Sequence, residues 1–330
     1  MKNFALLALL SLSVSAFPQS YKVTNKLVLG GEGGWDYLTY DTQAHRLFIA
    51  RGDHVMVVDP QNGKQTGDIP AHRCHGIALD YANHHGFISN GGAGTITLFD
   101  LRSLKTIREI QVGENPDAII FDVHTRKVVV MNGRSKNVMV VDPQTLKVEA
   151  TIDVAAKPEF AVADSDHVYV NLEDTNQIAR INSRTWQLED KWALKPCESP
   201  SGLAIDEKKG LLFPVCDDNI MDVINAKNGK IVTTVPIGEG PDAAAFDPQR
   251  RLVFSSNGQS GNLTIVKQET ANKFTVTQSL ETQRGARTMA LDAQTGNIYL
   301  VAAEFESSGE AGKRPAVKPG TFTLVVVSPQ

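Results

Sequence analysis

Cysteine is scarce, with three in 330 residues (Cys74, Cys197 and Cys216), and no Cys-X-X-Cys-His run exists to attach haem covalently. Long apolar runs are also missing. The longest, Phe4 to Val14, is about half the ~20 residues a membrane-spanning helix needs, so no span is expected in the mature chain. Nor is there a basic surplus. Lys and Arg number 33 against 37 Asp and Glu, with no basic tract, so no nucleic-acid partner is expected. Nucleophile-elbow, P-loop and His-Glu-X-X-His patterns are absent as well. The Gly30–Gly34 run lacks a following helical pattern, so it reads as a flexible lead into the first repeat and not as a phosphate cradle.

What the chain does have is a beat. Short apolar strands end in Asp41, Asp80, Asp122, Asp164, Asp206, Asp247 and Asp292, at intervals of 39, 42, 42, 42, 41 and 45 residues. A period near forty residues built from strands is the mark of a radial repeat. The third unit reads NPDAIIFD, VVVMNG, NVMVVD, VEATIDV, and the sixth reads GPDAAAFD, LVFSSNG, NLTIVK, FTVTQSL. Each piece has strand length and is bounded by turn residues. The expected fold is all-β: a seven-bladed β-propeller of four-stranded blades, forming one domain over 17–330. The last unit stops after its third strand, and the segment Tyr21–Leu29 is expected to supply the fourth. That would pair both chain ends and close the ring.

Met1 and Lys2, the apolar run, and Val14 and Ala16 before a cleavage point after Ala16 fit a secretory signal over 1–16. A periplasmic or secreted location and a monomeric chain are expected. In an oxidising compartment, Cys197 before one strand and Cys216 at the end of its antiparallel neighbour are placed to form a disulfide, or to serve as two apolar fillers. Cys74 is left over.

Five residues before each beat stand Asp36, His75, Asp117, Glu159, Ser201, Asp242 and Arg287. The repeat puts them around one mouth of a central channel. So many carboxylates need a cation, Arg287, protonated His75 or water. Asp36, His75, Asp117, Glu159 and Asp242 are therefore candidate ligands for a divalent cation, calcium or magnesium before a transition metal. No other cofactor is expected. The ends of the second strands add Arg51, Asn90, Asn132, Asn171, Cys216, Asn257 and, roughly, Glu304. Of these, Asn90, Asn132, Asn171 and Asn257 are candidate ligand-binding residues together with Glu173 and Arg287. Turn capping is the competing reading. His54, His72 and Cys74 lie beside His75 and offer a softer metal set. Histidines 45, 84, 85, 124 and 167 fall on the opposite face, as turn residues. Asp174, Asp217 and Asp218 extend the acidic rim. The insertion at 304–320, carrying Lys313, Arg314 and Lys318, rises from the same face as a lid, a docking segment or a disordered loop.

GENPDAIIFD, MNGRSKNVMVVD, HVYVNLEDTNQI, PCESPSGLAID and GARTMALD resemble the exported YncE-like proteins of the YVTN β-propeller repeat family, across essentially the whole mature chain. The name-giving strand end stands as VYVN at Val168–Asn171 and in weaker form as FISN, VVMN and FSSN; Arg51 and Cys216 interrupt it. The resemblance implies a seven-bladed extracytoplasmic propeller and no particular reaction. A more distant likeness is to metal-dependent lactonases of the gluconolactonase group, at slots similar to Asp36, Asp117, Glu159 and Asp242. The leading expectation is an exported binding or scaffold propeller, using its acidic mouth for a small molecule, cation or protein partner. The alternative is a divalent-metal hydrolase or lyase, with His75 and Arg287 as catalytic candidates.

Overall fold

The computed structural model describes residues 20–306 and 316–330. The expected leader at 1–16, together with Lys313 and Arg314, lies outside them. Among the described residues all regular structure is strand, except the single 3-10 turn Glu173–Thr175. No helix there is long and apolar enough to cross a membrane.

The strands assemble into five antiparallel sheets of four and one of seven. In the large sheet one long strand, Gln65–Asp80, pairs with Gly52–Val58 over its first part and with His85–Asn90 from Cys74 onward. Seven inner strands end at the seven beat aspartates: Leu38–Asp41, Gln65–Asp80, Pro116–Asp122, Pro158–Ala163, Pro200–Asp206, Pro241–Asp247 and Met289–Asp292; the fourth stops one residue short, at Ala163. Each touches the next, and the last touches the first. The sheets therefore stand radially about one axis.

Composition follows distance from that axis. Second strands such as Val128–Val130 are fully buried on both faces, because neighbouring sheets cover them. Outer strands such as Val148–Asp153 bury only Ile152. Near the axis backbones come close: a Cβ on Gly202 would sit 2.6 Å from Ala243 Cα, so only glycine fits.

The aspartate beat is turn chemistry. Asp247 accepts the backbone N–H groups of Gln249 and Arg250, both at 2.9 Å, and pairs with Arg250 Nη1 at 2.9 Å. Asp41 does the same for Gln43, Ala44 and Arg46. Such carboxylates satisfy backbone donors that the turn would leave unpaired.

As expected, the N-terminal strand Tyr21–Val28 completes the sheet begun by the last unit, running antiparallel to Thr323–Pro329 from Tyr21↔Pro329 to Val28↔Thr323. Cys197 and Cys216 are joined as a disulfide, with Cα atoms 5.5 Å apart. Cys74 is free and buried.

Candidate functional site

The side chains of the expected ring stand at one mouth, and local backbone irregularity sets their aim. In the second to fifth inner strands two residues face one on the partner strand: His75–Gly76, Asp117–Ala118, Glu159–Phe160 and Ser201–Gly202. Asp242 is the extra residue in the sixth. Such bulges bend a strand and redirect its side chains.

The charges on the ring compensate one another. Arg287 donates through Nε to Asp242 at 2.6 Å and through Nη2 to Asp36 at 3.2 Å and the Trp35 carbonyl at 3.0 Å. His75 Nδ1 lies 2.6 Å from the other Asp36 oxygen and 3.7 Å from Asp117. A string of alternating sign, Asp242–Arg287–Asp36–His75–Asp117, thus crosses the mouth. A second string is Glu159–Lys157–Glu173, with Lys157 Nζ 2.8 Å from Glu159 and also bonded to Glu173. Lys157, two residues before Glu159, was not picked out by the repeat count because it lies off the ring position.

Burial dominates the proton affinities here. It lifts Asp242 to about 7 despite the pull of Arg287, with Asp36, Asp117 and Asp217 adding repulsion. It lifts Asp117 to about 6 against the attraction of His75. Glu159 is raised well above the carboxylate range by burial and by Asp117, which outweigh Lys157. For His75 burial works against the charged form, but the hydrogen bond to Asp36 and the charges of Asp117 and Asp36 prevail and raise it. Below the ring the Tyr37 hydroxyl is buried without a partner among the described residues, and Tyr37 packs against Phe160 at 5.2 Å. A void of about 80 Å³ remains there.

Of the five candidate cation ligands, three converge. One donor atom each from Asp36, His75 and Asp117 lie within 4.8 Å of one another. Glu159 and Asp242 are held apart with their own cations. The asparagines expected to meet a ligand are buried: Asn90, Asn132, Asn171 and Asn257 are 0% exposed. Their amides clamp strands internally, Asn90 and Asn257 to Thr97 and Thr264, Asn132 to Asn137, and Asn171 to the Ser201 and Gly202 carbonyls. Arg51 is buried too, stacked 3.6 Å over Phe322. The soft-metal set of His54, His72 and Cys74 also disperses. His54 bonds Asp53, His72 meets Glu109, and the buried Cys74 thiol, pushed up to about 11 by burial, donates to the His54 carbonyl.

Over one side of the ring opens a cavity of about 590 Å³. Glu159, Glu173, Asp217, Asp242 and Arg287 line it, while Asp36, His75 and Asp117 do not. Trp35 and Phe305 form an aromatic corner of it. The described ends of the 304–320 insertion pair as a short ladder, Glu306 N to Ala316 O and Lys318 N to Glu304 O, both 2.8 Å. This ladder holds Phe305 against Trp35, centroids 6.1 Å apart. Gly285, at φ +89, lies beneath the pair, where a Cβ would be 2.9 Å from the Phe305 ring. Trp35, Lys157 and Arg284 belong to the site but escaped the repeat count, since none stands on a beat.

No family model matches the chain, and no curated protein sequence matches it. Solved structures do. The RRP9 WD40 repeats superpose with TM-score 0.81 at 9% identity, over 95% of this chain and 100% of that one. U3-55K gives 0.78 at 10%, over 93% and 99%. Hydrazine synthase from Kuenenia stuttgartiensis gives 0.73 at 14%, over 82% and 92%. At such identities the likeness is one of architecture, and the chain folds as a β-propeller.

Proposed function

We propose that this chain is an exported, seven-bladed propeller that binds a small molecule in the cavity over its acidic mouth. The cavity carries the reading. Its volume is in the ordinary range for ligand sites of about 300–1,000 Å³, and it sets the aromatic pair Trp35 and Phe305 among charged and polar side chains. The count of seven rests on the long strand Gln65–Asp80, which serves one blade as its outer strand and the next as its inner strand. The disulfide and the leader-like 1–16 segment support export. The strand ends VYVN, FISN, VVMN and FSSN support a place among YncE-like proteins.

A thermal-shift screen of a charge-diverse compound set on the wild type and on Gly34→Trp tests this. Gly34 lines the cavity, and a Cβ there meets nothing within 4 Å, so a bulky ring introduced at its wall obstructs it at small cost to the fold. Stabilising compounds should lose their effect in the variant. Compounds that act equally on both proteins, or none at all, would sink the proposal.

A second reading, the divalent-metal hydrolase, draws on the convergence of Asp36, His75 and Asp117. There a metal would polarise a carbonyl or activate water. The fit is partial, since Asp36 is already shared by His75 and Arg287, and the three residues lie outside the cavity. Elemental analysis of protein purified without chelator separates the readings. The hydrolase needs one divalent ion per chain, lost in Asp117→Ala; the binding protein does not.

A further inference from the structure

Resting on the cavity reading above, we infer that the occupant is an extended zwitterion, specifically a short peptide with free termini and an apolar C-terminal residue. Once the pairs Glu159–Lys157 and Asp242–Arg287 are set aside, the charged groups left facing the cavity are segregated. Glu173 and Asp217 come from the fourth and fifth blades, whereas Arg284 and Arg287 precede the inner strand of the seventh. Asp217 has Asp218 beside it and no cation partner among the described residues, so this pole retains negative charge after Lys157 is counted. At the other pole Arg284 is exposed and makes no ion pair among the described residues. Arg287 uses Nε and Nη2 on Asp242, Asp36 and Trp35, and its Nη1 has no acceptor among them.

One blade separates the poles. Poles with one blade between them are two sheet spacings apart, up to about 20 Å at about 10 Å per spacing, and an extended chain advances about 3.3–3.6 Å per residue, so up to about six residues bridge the gap. An amino acid is too short. Beside the cationic pole stand Trp35 and Phe305, which suit an apolar side chain on the residue carrying the carboxylate. The Ser199 hydroxyl and the Gln259 amide also line the cavity, have no hydrogen-bond partner among the described residues and can serve peptide groups. Trp35, 9% exposed, also leaves its indole N–H unpartnered among the described residues, and a buried unpaired donor in a cavity wall is costly unless a ligand or water meets it.

The test is calorimetry with alanine peptides of three to six residues ending in phenylalanine, their N-acetyl forms, their C-terminal amides, and phenylalanine alone. Each blocked peptide should bind about tenfold or more weakly, as loss of a charge-assisted contact implies, and phenylalanine weaker still. Arg284→Gln should narrow the difference between acid and amide, with Arg287 Nη1 retaining the rest, and Asp217→Asn should narrow that between free and acetylated amine, with Glu173 retaining the rest. Both positions are exposed, so neither change threatens folding. Blocked peptides binding as tightly as the free one overturn the zwitterion. If their binding, or that of hits from the compound screen, is lost in Gly34→Trp, the cavity reading survives. If neither peptides nor screened compounds respond to Gly34→Trp, both inferences fall.

Discussion

Asp242 should make this protein less stable as the solution turns from mildly acidic to neutral, against the usual trend for carboxylates. Its carboxyl titrates at about 7 in the fold but near 3.9 in an unfolded chain. Between those values the folded state holds a proton that the unfolded state has released. The stabilisation is complete below the unfolded value and disappears as pH rises through the folded one. From pH 5 to pH 8 about two pKa units of that window are crossed, worth about 2–3 kcal/mol at 1.36 kcal/mol per unit. The side chain is 22% exposed, so water screens it only in part. Urea unfolding at pH 5 and pH 8 measures the effect, with Asp242→Asn as control. The wild type should lose this much more stability than the variant across the interval, after the shared contribution of the other carboxylates cancels. An equal pH dependence in the two proteins would refute burial as the force that outweighs Arg287.

Replacing Cys197 and Cys216 by Ser opens a loop with a sequence separation of 19, which by chain entropy costs about 3 kcal/mol. Reductant should lower the wild-type urea midpoint similarly and leave the double variant unmoved, and equal midpoints for variant and oxidised wild type would contradict this. Removing residues 1–28 strips the partner from Thr323–Pro329 and leaves a bare edge. Size-exclusion chromatography should then show oligomers, and a clean monomer would count against that. Asp247→Ala orphans two backbone donors and Arg250, at about 2–3 kcal/mol for a charged acceptor. Asp247→Asn should recover part of it, and identical unfolding midpoints for the two substitutions would argue against a charge-assisted turn.

The ring was readable in advance because equivalent positions in a repeat share one place about the axis; Asp36, His75, Asp117, Glu159 and Asp242 were named by counting alone. What counting does not supply is neighbours. Arg287 was recognised as a bridging cation, yet its choice of Asp242 and Asp36 over Glu159 depends on side-chain reach across blades. Lys157 serves Glu159 from a position off the beat. The asparagines show the opposite failure: they occupy equivalent slots, but bulges at the inner strands turn the mouth over to the acids while Asn90, Asn132, Asn171 and Asn257 face into the sheets. The aromatic wall was invisible because Trp35 and Phe305 lie far apart in sequence and meet only once the ring closes.

The pairing of Tyr21 with Pro329 also orders events in time. A ribosome delivers the first strand before any other and its partner last, so the first strand waits through the synthesis of the entire chain. Until then the nascent protein is an open arc with both ends unsatisfied, and contacts so distant in sequence are slow to form. Trp35 and Phe305 sit on either side of that final seam. The aromatic corner of the cavity is therefore the last to form, and it closes over a wall of Glu159, Glu173, Asp217 and Asp242 that the intervening sheets supply beforehand.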